Sequence, residues 1–208
     1  MKRSLVIGKT NVGKTLFCIR FAQYMGIKEL QWMVEHTDGS TEQNRMSLRE
    51  AEHILSGPDA HHTRGLQSFA MEFPRGKGYR QLLMTDTTGL AQGIHPDVEL
   101  RNAMAQTLQV MADAPLLIHV VDASSLGWTG KHAGMETADA WDQLDEQVSR
   151  FGVRQPGYLI LANKMDLPGA KMGYQRLRQR FTKQRVIPIS AMHNMGFREV
   201  KQHVWRFA

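Results

Sequence analysis

The stretch Gly8-Lys9-Thr10-Asn11-Val12-Gly13-Lys14-Thr15 sets two glycines, a lysine and a hydroxyl residue at the spacing G-x-x-x-x-G-K-[ST]. Such a loop can wrap successive backbone N–H groups around phosphate oxygens at the positive end of a helix dipole. The glycines permit the tight turn, the Lys14 ammonium would reach β- and γ-phosphates, and the Thr15 hydroxyl would ligate Mg2+. Asn11, Val12, Gly13 and Leu16 complete the expected contact set. A glycine-rich turn that binds nothing is the bland alternative. Against it stands the context: the apolar run Ser4 to Ile7 precedes the loop, and the helical stretch Leu16 to Met25 follows it.

Three further clusters extend the chemistry. Asp86-Thr87-Thr88-Gly89 closes an apolar run, so the Asp86 carboxylate could hold Mg2+ directly or through water, while Gly89 lets a backbone N–H approach a γ-phosphate. Asn163-Lys164-Met165-Asp166 follows a second apolar run. Guanine presents a ring N–H and an exocyclic amine on one edge, and one carboxylate can accept from both. Adenine would leave that carboxylate unpaired, so Asp166 would select guanine. The Lys164 stem would lie across the base, and Asn163 would tie this loop to the phosphate loop. Ser190-Ala191-Met192 is a small-residue turn whose backbone N–H could meet the guanine carbonyl. The expected ligands are therefore GTP and GDP.

Elements must hold these loops on one side of a sheet. Alternation along the chain predicts strands at Ser4 to Ile7, Leu66 to Phe73, Arg80 to Asp86, Leu116 to Val121, Gly157 to Ala162 and Arg185 to Ile189. It predicts helices at Lys14 to Met25, Pro96 to Met111, Thr137 to Arg150, Met172 to Thr182 and Phe197 to Phe207. Leu116 to Val121 and Tyr158 to Leu161 are apolar almost throughout, as central strands covered on both faces are. Leu66 to Phe73 alternates more and is joined to the next run by Pro74 to Gly78, which reads as an antiparallel hairpin. The expected fold is α/β: a P-loop NTPase with a doubly wound, mostly parallel six-stranded sheet, one antiparallel edge strand and about five helices. Two segments exceed what that needs, at about 26–62 and 124–136. In the first, Ser47-Leu48-Arg49-Glu50 fits a capping box opening a short helix through Leu55.

Composition is that of an ordinary globular chain, 42% hydrophobic and 22% charged, with no apolar run long enough to span a membrane. The sole cysteine, Cys18, excludes an internal disulfide and suits a reducing cytoplasm. The N-terminus leads straight into a strand, with no leader expected. From Lys171 onward nine Lys/Arg face a single acid, Glu199, so this segment outweighs the chain's whole net charge of +6. An anionic partner, RNA first, is one reading; a solvated helix face is the other.

The four clusters together resemble the translation-factor-related GTPases, and among them the bacterial Era, Der and MnmE type. That group's G-x-P-N-V-G-K-S and D-T-P-G-L appear here with Thr10 and Thr88 for proline and Thr15 for serine, none of which removes a ligand group. The resemblance implies a single G domain over 1–208, with the 26–62 insertion in the first switch region. It implies GTP hydrolysis to GDP and phosphate with Mg2+, in a nucleotide-dependent switch. Its partners would be a protein effector, ribosomal RNA or the ribosome, or a nucleotide-dependent dimer. A GTP-gated interaction module with little turnover is the alternative. The family's first-switch threonine, a Mg2+ ligand, matches Thr63 in place, with Thr37 and Thr41 as rivals. Ras-type proteins orient water with a glutamine where this chain has Leu90. The Era group also carries a hydrophobic residue there, and several members use potassium coordinated by the loop asparagine, here Asn11.

Overall fold

The protein's structure, a computed structural model, describes residues 2–55, 66–75, 78–87, 97–127 and 141–207. The sheet is built from β1 (Lys2–Ile7), β2 (Glu29–Glu35), β3 (Thr41–Ser47), β4 (Leu66–Arg75), β5 (Gly78–Asp86), β6 (Leu116–Asp122), β7 (Leu159–Asn163) and β8 (Arg185–Pro188). Their order across the sheet is β3-β2-β4-β5-β1-β6-β7-β8. The stretch from β5 through β8 is parallel throughout. On the other side β4 runs antiparallel to β5, β2 to β4 and β3 to β2.

Seven helices lie among the described residues: α1 (Lys14–Tyr24), α2 (Leu48–Leu55), α3 (Val98–Asp113), α4 (Ala123–Gly127), α5 (Gln143–Gly152), α6 (Ala170–Arg180) and α7 (Phe197–Phe207). They cover both faces of the sheet. Val6, Ile118, Val120, Leu159 and Leu161 point into a core shared with Phe17 and Phe21 of α1 and with Phe197, Val200 and Val204 of α7. Leu5, Ile7, Leu117, Val121, Ile160 and Ala162 point the other way, onto Val148 of α5 and Leu177 of α6. Strict alternation with both faces buried is why these runs read as continuously apolar.

The doubly wound α/β arrangement is as expected, with corrections. The sheet has eight strands rather than six, and seven helices rather than about five are described. The predicted antiparallel edge strand, β4, is interior, because the 26–62 segment adds the hairpin β2–β3 outside it. Leu30 and Trp32 bury into the core from β2, whereas no residue of β3 is buried. A strand reading Thr-Glu-Gln-Asn-Arg-Met-Ser has no alternation to detect; its pairing to β2 defines it. Gly39, at φ 85°, closes the turn, where Asp38 Oδ1 accepts from the Ser40 N–H at 2.8 Å. The capping box forms: Ser47 N–H donates to Glu50 Oε2 at 2.9 Å, and Glu50 N–H to Ser47 Oγ at 3.3 Å. Short α4 occupies the start of the predicted 124–136 loop; residues 128–140, with Trp128, lie outside the described residues.

Helices α4 and α6 meet through glycine. A Cβ added at Gly173 would sit 1.9 Å from the Ala123 carbonyl oxygen, a backbone atom that cannot step aside. Gly173→Ala is expected to destabilise the fold by about 3 kcal/mol, as overpacking against rigid backbone does. Chemical denaturation of the variant checks this.

Candidate functional site

The sequence clusters converge at the carboxyl ends of the parallel strands, where open α/β sheets place their ligands. The loop 8–13 leaves β1, Asp86 ends β5, Asp122 ends β6, Asn163 ends β7, and Ser190 follows β8. Register fixes their levels: Val6 pairs with Asp86, Ile7 with His119, and Asp122 with Asn163.

The loop needs its unusual backbone. Gly8 has φ 152°, and a Cβ there would meet the Val120 carbonyl oxygen at 2.3 Å; Gly13 has φ 92°. Asn11 also takes a positive φ of 61°, which asparagine tolerates better than most residues. Its side chain is exposed, with no hydrogen-bond partner among the described residues. Lys14 opens α1 nearly buried, donating from Nζ to the Lys9 carbonyl at 2.8 Å. Burial holds its ammonium below the usual lysine range, with the neighbouring Asp86 opposing that shift. Leu16 packs against the core from the next turn.

Thr15 Oγ1 donates to Asp86 Oδ2 at 2.5 Å, and Thr87 Oγ1 pins the following residue to the Val6 carbonyl at 2.9 Å. Asp86 is fully buried, and its Oδ1 has no hydrogen-bond partner among the described residues. A buried carboxylate oxygen left without a donor is costly unless a cation completes it. Burial accordingly pushes the Asp86 carboxyl up to about 6, with Lys14 and Thr15 offsetting only part of the shift. Because its folded value lies above the unfolded 3.8, Asp86 adds stability that is complete below about 3.8 and is lost as pH rises through about 6. In protein free of nucleotide and metal, Asp86→Asn should therefore be more stable than wild type. That margin should grow from pH 4 to pH 7 to on the order of 3 kcal/mol. Paired melting curves across that range give the answer.

Asn163 joins three loops. Its Nδ2 donates to the Val12 carbonyl at 2.8 Å, and its Oδ1 accepts from the Ala191 N–H at 3.0 Å. The side chain crosses directly over Gly13, 2.5 Å from where a Cβ would be. Asp166 is exposed, and its Oδ1 accepts from Ser190 Oγ at 2.5 Å, which orients the carboxylate. Lys164, at φ 64°, lies 2.7 Å from Asp122 Oδ2. Ala191 is buried and Met192 exposed beside it.

Sequence reasoning missed Asp122. Its Oδ1 accepts from the Ser124 and Ser125 N–H groups, capping α4, while Oδ2 holds Lys164. A carboxylate ending a continuous apolar strand beside the Asn163 strand was the available signal. Thr63, Gly89, Thr88 and Leu90 lie outside the described residues. The rivals Thr37 and Thr41 belong to the hairpin, in its turn and in exposed β3. Strand spacing puts β3 about 14 Å, three strands, from Asp86's β5, too far to share an ion with it.

The basic C-terminal segment divides between the two faces of the sheet. α6 packs on one core through Leu177, and α7 on the other through Phe197, Val200 and Val204. On α6, Arg176 donates to the Leu126 carbonyl and Arg180 to Glu146. No helix of the described residues is long and apolar enough to cross a membrane.

A family model described as 50S ribosome-binding GTPase matches residues 3–164. GTPase Obg of Shouchella clausii is 27% identical over 124 residues, covering 58% of this chain and 27% of that protein. GTPase Obg of Bacillus pumilus is 29% identical over 124 residues with the same coverage. The chain thus spans about a quarter of the length of these curated relatives. Among solved structures, Aquifex aeolicus Era bound to GDP and AlF4- superposes with a TM-score of 0.68 at 18% identity, over all of this chain and 57% of that one. The G domain of the T. maritima FeoB iron transporter gives 0.55 at 17%, covering 100% and 98%. Likeness at such identities is likeness of fold. The family match itself runs from β1 to Lys164, well over half of the chain, and it encloses the phosphate loop, Asp86 and Asn163. The chain therefore belongs to the 50S ribosome-binding GTPase family, within the translation-factor-related class of bacterial GTPases.

Proposed function

We propose that this chain binds GTP and GDP across the three loops joined by Asn163 and hydrolyses GTP to GDP and phosphate as a nucleotide-dependent switch. The observation that carries the reading is the Asn163 clamp. It holds the phosphate loop, the Asp166 loop and the Ser190 loop in one arrangement, at a spacing set by β1, β7 and β8 of one sheet. Asp166, oriented by Ser190, accepts the two guanine donors, and the Ala191 region meets the guanine carbonyl. Lys14 leaves the Lys9 carbonyl and donates to the β- and γ-phosphates. Val12, Gly13, Lys14, Thr15 and Leu16 offer backbone N–H groups at the α1 N-terminus.

Mg2+ fits the residues present. Asp86 carries a buried oxygen without a donor among the described residues, and Thr15 supplies a hydroxyl beside it. When bound, the ion neutralises charge between the β- and γ-phosphates. Thr63 would add a further oxygen and Gly89 a backbone N–H to the γ-phosphate. The exposed Asn11 amide, which braces no partner among the described residues, would ligate potassium and so stabilise charge growing on the transferred phosphoryl group. The buried thiol of Cys18 suits a cytoplasmic setting.

Phosphate release from GTP, but not ATP, abolished by chelating Mg2+, is the expected result; equal turnover of ATP would overturn the guanine reading. Turnover equal in KCl and NaCl would remove potassium from it. For an anionic partner such as ribosomal RNA, α7 offers Arg198, Lys201 and Arg206 on one face of the sheet, and exposed Lys171 and Arg178 of α6 lie on the other. Ribosome association that weakens steeply with salt and changes with nucleotide is the matching outcome.

A further inference from the structure

The side chain of Lys9 has no part in the reading above, although it stands at the first variable position of the phosphate loop. It reaches α5. Asp142 caps that helix, its Oδ1 accepting from the Leu144 and Asp145 N–H groups at 3.0 and 3.1 Å, while its Oδ2 lies 3.3 Å from Lys9 Nζ. Asp145, almost wholly buried, sets its Oδ2 at 2.8 Å from the same ammonium. Its Oδ1 lies 3.2 Å from Nε2 of His119, which is fully buried in the middle of β6. The other ring nitrogen, Nδ1, meets the Tyr158 hydroxyl at 2.9 Å. A carboxylate can only accept, so Nε2 carries a proton toward Asp145, while the Tyr158 hydroxyl holds the other ring nitrogen. The ring lies against Trp141, 5.9 Å between centroids.

Stability does not explain the arrangement. A buried ion pair is weak evidence for stability, since apolar residues of similar volume commonly do as well or better. The chain of contacts does end on the loop backbone, because the carbonyl of Lys9 is the acceptor for Lys14. Lys9 is thus held by its side chain to α5 and by its carbonyl to the loop's own lysine.

We infer that Asp145 is a positioning residue for the phosphate loop, acting through Lys9. Braced by His119 and Tyr158, the Lys9–Asp145 pair keeps the loop backbone in the conformation that takes a nucleoside di- or triphosphate. This rests on the GTP-binding reading. A loop ordered before binding loses less entropy when the phosphates arrive. Simple electrostatics predicts the opposite sign at one position: removing a negative charge near phosphates should tighten binding, whereas removing a positioning carboxylate should weaken it.

The test is equilibrium binding of fluorescent GDP to the full chain and to Lys9→Met, Asp145→Asn, the double variant and Lys9→Arg, with melting curves for each. Each of the first two should weaken GDP about tenfold. The double variant should be no weaker than either single one, since both break one linkage. Lys9→Arg should stay within about threefold of wild type, because a guanidinium can bridge both carboxylates. Binding by Asp145→Asn as tight as wild type or tighter would overturn the inference, as would single effects that multiply in the double variant. If Asp145→Asn does not fold, Lys9→Met decides alone, and an unchanged GDP affinity overturns the inference. Wild-type protein that binds no GDP defeats the GTP reading and this inference together; wild-type binding with indifferent variants defeats this inference alone.

Discussion

Asp166→Asn should cost the protein its guanine nucleotides and give it xanthine nucleotides instead. Guanine donates from a ring N–H and from its exocyclic amine, and the Asp166 carboxylate accepts both. Hydrogen bonds to a charged group contribute about 1.5–3 kcal/mol each, so losing the pair weakens GDP by roughly a hundredfold or more. Asparagine presents one accepting and one donating group. Xanthine carries a carbonyl where guanine has its amine, and it matches that pair. The Ser190 hydroxyl that now donates to Asp166 Oδ1 can donate equally to the amide oxygen, so the side chain keeps its orientation. Asp166 is exposed and ends no buried network, so the variant should fold like wild type. Competition between GDP and XDP for the two proteins measures the exchange. Unchanged GDP affinity would remove Asp166 from the base site.

The second large effect is expected at Gly13→Ala. The glycine has φ 92°, a left-handed backbone that costs an L residue about 1–2 kcal/mol. The new methyl would also lie 2.5 Å from Asn163 Nδ2 and must displace that side chain. Asn163 then loses its bonds to Val12 and Ala191, two buried interactions whose loss costs about 1–3 kcal/mol each. Together these amount to roughly 4 kcal/mol of fold stability, with nucleotide affinity reduced at least a hundredfold. Asn163→Ala alone should cost less, and combining it with Gly13→Ala should cost less than the two effects added, since the clash disappears with the amide. Additive losses would show that the two residues act separately.

These two residues also mark how far the sequence could be read. Gly13 and Asp166 sit in patterns whose spacing is the chemistry, so their places were legible before any fold was known. The apolar runs Leu116 to Val121 and Tyr158 to Leu161 were equally legible, because burial on both faces leaves no other composition. What escaped were partnerships across the fold. Asp142 and Asp145 read as unremarkable acids, and although Asp122 ends an apolar run, nothing local says that it holds Lys164 and the others Lys9. The same holds for β3, which takes its strand geometry from β2 and not from its own side chains. The distribution of the basic residues from Lys171 onward was hidden in a related way: they are contiguous in sequence, but α6 and α7 lie on opposite faces of the sheet.

The β2–β3 hairpin has a consequence for the behaviour of many molecules together. Without it, the sheet would end at β4, a ten-residue strand with Phe69 and Met71 buried on one face and Leu66 on the other. A long, apolar free edge is a template on which other chains add as further strands. The hairpin covers that edge from Leu66 to Phe69, where β2 pairs with it, and sets β3 outermost, seven residues without a buried side chain, bearing Glu42 and Arg45. Charged, polar side chains on a short outer strand discourage the next chain from pairing. Over that stretch the hairpin exchanges an apolar edge for a polar one, on which strand addition by a second copy is less favourable.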